Sequence, residues 1–65
     1  MTLNQWESKH PHAWIIDKGD GYIGVHDTSA IQEFRWELWH LDDWFVSAVQ
    51  AGVIWLWPKK TGNIT

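Results

Sequence analysis

Residues 34–57 read FRWELWHLDDWFVSAVQAGVIWLW and contain five of the chain's seven tryptophans. Aromatic and β-branched residues crowd three stretches, Phe34 to Leu41, Trp44 to Val49 and Val53 to Trp57, divided by Asp42-Asp43 and Gln50-Ala51-Gly52. This pattern predicts a three-stranded antiparallel meander. Gln50-Ala51-Gly52 suits a three-residue loop with Gly52 left-handed, because alanine is strained in a two-residue primed turn. Alternation then assigns Phe34, Trp36, Leu38 and His40, with Phe45, Ser47, Val49, Val53, Trp55 and Trp57, to one face. Arg35, Glu37, Trp39 and Leu41, with Trp44, Val46, Ala48, Ile54 and Leu56, take the other. Both faces are apolar enough to need cover.

Upstream, Thr2-Leu3-Asn4-Gln5 has the form of a capping box and predicts a short helix ending at His10-Pro11. Ala13 to Asp17 and Tyr22 to Asp27 flank Lys18-Gly19-Asp20-Gly21, which predicts a hairpin with a two-residue Gly-Asp loop. That register pairs Ile16 with Ile23 and Trp14 with Val25 and makes these four the core face, leaving Ile15, Asp17, Tyr22 and His26 opposite. Thr28 to Glu33 holds a second capping-box form, Ser29-Ala30-Ile31-Gln32, and predicts a connector with at most one helical turn. The expected fold is α+β: a short N-terminal helix and a mainly antiparallel sheet of about five strands, hairpin plus meander. Its second apolar face is to be closed by curling towards a small barrel, by a copy of the chain, or by a partner. One domain over 1–58 and a polar tail over 59–65 are expected.

The 65 residues carry 8 acids, 5 bases, 4 histidines and no cysteine, with a hydrophobic fraction of 45%. One small domain is the limit, and neither disulfides nor thiolate zinc can staple it, so the tryptophans must supply the packing. Residues 1–58 set only Lys9, Lys18 and Arg35 against all eight acids. An acidic body argues against binding a phosphate backbone. No basic segment leads into an apolar one at the start, and the run Val53 to Trp57 is too short to span a bilayer; a cytoplasmic protein without membrane contact is expected.

Chemistry-bearing patterns are sparse. His10, His12, His26 and Asp27 could gather at the open end of the hairpin, but His-x-His around a proline is no metal signature, and no metal or other cofactor is expected. Ser29 and Ser47 lack nucleophile-elbow spacing, and Gly19, Gly21 and Gly24 serve a hairpin rather than a dinucleotide loop. Asp42-Asp43 reads as turn chemistry rather than an acid–base pair. Catalysis is therefore not expected. Aromatics beside charge fit a binding surface better, and Trp39, Trp44, Arg35, Glu37, Asp42 and Asp43 form the candidate partner-binding patch.

Thr2-Leu3-Asn4-Gln5-Trp6 resembles the opening of small phage excisionases, which implies a winged-helix DNA-binding fold; the acidic body departs from their basic character. In overall profile the chain is similar to the small acidic proteins that phages and mobile elements encode against host defences, among them anti-CRISPR proteins. That resemblance implies a stoichiometric inhibitor in the bacterial cytoplasm that occludes the nucleic-acid-binding site of a host protein complex. Asp17, Asp20, Glu33, Glu37, Asp42 and Asp43 would stand where phosphates bind. The alternatives are an excisionase-like DNA-binding protein and a tryptophan-platform carbohydrate-binding module.

Overall fold

Thr2 accepts a hydrogen bond from the Gln5 backbone N–H at 3.2 Å, and the Gln5 side chain accepts one from the Thr2 N–H at 2.8 Å. This reciprocal cap starts α1, Leu3–Lys9, in a computed structural model that describes residues 1–59. Leu3 and Trp6, three apart on one face, are buried. The helix ends at His10, ahead of Pro11, as the sequence requires.

Four strands follow: β1 (Ile15–Asp17), β2 (Ile23–His26), β3 (Trp44–Gln50) and β4 (Val53–Pro58). They form one antiparallel sheet in the order β1-β2-β4-β3. The α+β class holds, but among the described residues the sheet has four strands rather than five and stays open, with β1 and β3 as its edges.

The missing strand is Phe34 to Leu41. Arg35–His40 is a 3-10 helix, and the connector before it contains a 3-10 turn, Ser29–Ile31, entered from Thr28 without a side-chain cap. In a 3-10 helix residues three apart align, so Leu38 and Leu41 both reach the core and are buried to 1% exposure or less. Alternation had separated these two leucines. Burial of an i, i+3 pair beneath the sheet outweighs the strand propensity of the surrounding aromatics.

The first hairpin is shifted by one residue from the expected register. Ile15 pairs with Val25, Ile16 with Gly24 and Asp17 with Ile23, leaving five residues, 18–22, in the loop. Asp17 Oδ1 accepts the Gly19 N–H at 2.9 Å, and Gly19 and Gly21 both take positive φ, which a two-residue loop does not accommodate. The shift turns Ile15 onto the core and leaves Trp14, expected in the core, 62% exposed.

The second hairpin is tighter than expected. Gln50 pairs with Val53 across a two-residue turn in which Ala51 (φ 52°) and Gly52 (φ 75°) are both left-handed. A register shift at Ser47 separates the pairs Val46–Leu56 and Ala48–Trp55. This bulge moves Ala48 to the face of Phe45 and Trp55, and Val49 to that of Ile54, reversing the expected assignment of those two residues.

One face of the sheet is covered from within the chain. Val25, Ile54 and Leu56 meet Leu3, Trp6, Ile31, Leu38 and Leu41, with Ile15, Ile23, Trp44 and Val46 packed against them. Each fully buried aliphatic side chain contributes about 1.5–3 kcal/mol. Lys59, placed by sequence at the start of the tail, donates its N–H to the Asp43 carbonyl and its Nζ to the Leu41 carbonyl. Residues 60–65 lie outside the described residues. Among those described, one α-helix of seven residues is present, so the winged-helix arrangement is not formed, and no helix is long and apolar enough to cross a membrane.

Candidate functional site

Among the described residues no helix or loop covers the face of the sheet opposite α1, which is rich in aromatic residues. Alternation along β4 turns Ile54 and Leu56 inward and Trp55 and Trp57 outward, as the sequence predicts. Phe45 pairs with Trp57, and the two are 44% and 42% exposed. Tyr22 meets Trp55 edge-on, with ring centroids 5.4 Å apart, and lies tilted against Trp57 at 5.1 Å. Gly24, the cross-strand partner of Trp55, has no side chain to hold the indole off β2. At the far end of the same face Trp14 stacks on His26, with centroids 3.9 Å apart. A shallow hollow of about 390 Å³ runs beside these rings, lined by Tyr22, Ser47, Ala48, Gln50, Trp55 and Trp57.

The patch expected from sequence is distributed differently. Arg35 and Trp39 stay together, with the guanidinium 5.7 Å from the indole centroid, and Trp39 is 46% exposed. Arg35 is also held by Asp27 at 3.3 Å, and Asp27 accepts the Gln32 side-chain amide at 2.8 Å. Trp44 packs against the core and is half-buried. Glu37 turns to α1, accepting from His10 Nε2 at 2.9 Å and facing Lys9 Nζ at 3.7 Å. The His10 hydrogen bond lowers the Glu37 pKa, outweighing the partial burial that would raise it. The Lys9 and His10 charges and the nearby Trp6 indole N–H lower it further. Asp42 meets the Met1 amino group at 3.0 Å, and Asp43 Oδ1 accepts the Leu3 N–H at 3.0 Å. Asp42-Asp43 is thus no hairpin tip: Asp43 ties the start of β3 to the first turn of α1.

The other titratable residues are likewise dispersed. His10 is bonded to Glu37 and stacked on Phe34, His26 lies on Trp14, Asp27 is paired with Arg35, and His12 is exposed. Among the described residues no group of three His, Asp or Glu side chains converges on a point that could hold a metal. Ser47 donates its hydroxyl to the Trp55 carbonyl at 3.3 Å.

What sequence reasoning missed is Trp14 as a member of the open face; Tyr22 lies opposite the core, as expected. The signal was present as two glycines, Gly19 and Gly21, flanking a turn too long for the assumed register. No family model matches the chain, and neither a curated protein nor a solved structure does.

Proposed function

We propose that this chain is a non-enzymatic protein-binding module, acting in the bacterial cytoplasm as an inhibitor that occludes the nucleic-acid-binding site of a host defence complex. The observation that carries this reading is the open aromatic face of Trp14, Tyr22, Phe45, Trp55 and Trp57, set against an opposite face on which the chain's own helices pack. Large rings with few rotatable bonds bury much area at small entropic cost, which is why aromatics dominate interface hot spots. The chain is acidic, with a formal charge of −3, and Asp17, at the end of β1, and Asp20, in the loop that follows, are both exposed. That charge repels a nucleic-acid backbone and attracts a protein surface evolved to hold one. Aromatic contact supplies affinity, and the carboxylates speed encounter.

The experiment captures complexes from bacterial lysate on the tagged chain and offers them labelled duplex DNA or RNA. A captured complex that cannot bind labelled nucleic acid while the chain is present, and regains binding with a Trp14→Ala, Trp57→Ala double variant, is the expected result. A captured complex that binds nucleic acid equally well with and without the chain overturns the occlusion reading. Trp39→Ala distinguishes this face from the Arg35–Trp39 cluster and is expected to leave capture intact.

A further inference from the structure

We propose that the hollow beside Trp55 and Trp57 seats a neutral pyranose ring of gluco configuration. This goes beyond the protein-partner reading and does not depend on it, since its test uses only the purified chain and sugars. The hollow exists because a large and a small residue face each other across β3 and β4: Trp55 pairs with Ala48, next to the Ser47 bulge. Its volume of about 390 Å³ falls in the ordinary range of small-molecule sites, about 300–1,000 Å³. Tyr22 stands at 71° to Trp55 and 44° to Trp57, so the three rings form a corner rather than a closed stack and leave ring surface available to a ligand. Trp55 is held in place over Gly24, so little freedom is lost on binding.

The lining selects the ligand class. Aromatic surface favours a flat, C–H-rich partner, and a gluco-configured pyranose, with its substituents equatorial, presents such a face on each side. Gln50 adds a carboxamide, which both donates and accepts as vicinal hydroxyls require, and Tyr22 adds a phenol hydroxyl. Among the described residues no cationic side chain lines the hollow, and the chain carries net negative charge, so phosphorylated or carboxylated ligands are disfavoured.

Titration with cellotriose, followed by amide and indole N–H chemical shifts, tests the seat, with glucose 6-phosphate and adenosine as comparison ligands. Saturable shifts confined to Trp55, Trp57, Tyr22 and Gln50, with a dissociation constant of about 1 mM or tighter, are expected. Trp57→Ala removes a wall and Ala48→Leu fills the hollow; each is expected to weaken binding about tenfold or more, while Trp36→Ala, on the 3-10 helix, leaves it unchanged. Because Ala48→Leu removes no aromatic, it keeps the test valid if Trp57→Ala loses its fold. The proposal is overturned by an absence of saturable shifts up to about 20 mM, by binding that survives both variants, or by adenosine binding more tightly than the sugar.

Discussion

The six-membered ring of Trp55 occupies the space that a side chain at Gly24 would need: a Cβ there would lie 2.7 Å from Trp55 Cζ3 and 2.8 Å from Val53 Cγ1. The two residues are cross-strand partners in β2 and β4, and the missing side chain lets the indole lie across the neighbouring strand.

Gly24→Ala is therefore expected to destabilise the fold by about 1–3 kcal/mol, the usual cost of overpacking, despite the better strand propensity of alanine. In a Trp55→Ala background the cost should fall, because only the contact with Val53 Cγ1 then remains. Urea denaturation of the two single variants and the double variant checks the coupling, and equal costs in both backgrounds would contradict the contact.

Ala51 is held at φ 52°, a conformation that disfavours L-residues by about 1–2 kcal/mol. Ala51→Asn, which tolerates the left-handed region, is expected to stabilise the second hairpin by about 1 kcal/mol and raise Tm by about 4–8 °C. A thermal melt that shows no rise would indicate a wider loop, as the sequence pattern first suggests.

The 3-10 reading of Arg35–His40 makes Leu38 and Trp36 unlike each other, whereas a strand would place them on one face. Leu38 is fully buried and Trp36 is 59% exposed. Leu38→Ala is expected to cost about 2–5 kcal/mol, enough to unfold much of so small a domain, and Trp36→Ala to change stability by about 0.5 kcal/mol or less. Parallel denaturation curves decide between the two geometries.

Glu37 has its pKa lowered in the folded state by the His10 hydrogen bond and, less strongly, by the Lys9 charge. The unfolded chain thus binds the proton at a higher pH than the folded one. The contribution to stability is fully present above the ordinary glutamate range and is lost as pH falls through the depressed folded value. Glu37→Gln should flatten the acid limb of a plot of urea midpoint against pH, and an unchanged acid limb would show that the contact adds nothing.

The local rules were legible in the chain itself. Thr2 and Gln5 cap α1, Leu3 and Trp6 share its buried face, and the alternation of Ile54, Trp55, Leu56 and Trp57 divides this part of β4 correctly into inner and outer residues. Each of these depends on a neighbour within a few positions, so spacing alone suffices. The candidate patch was less legible: Trp39 and Arg35 meet as expected, but Glu37 and Asp43 face α1, a contact no local pattern encodes.

Composition and hydrophobic period by themselves determined the α+β class, with a short N-terminal helix and two apolar sheet faces, because those properties follow from side chains repeating along one segment. Only the tertiary structure decided which face is covered. The 3-10 helix brings Leu38 and Leu41 under the sheet, and a one-residue register shift exchanges Ile15 for Trp14 in the core. Both choices are settled by the apolar area that packing removes from water across the whole molecule. Spacing within a segment carries no record of that sum.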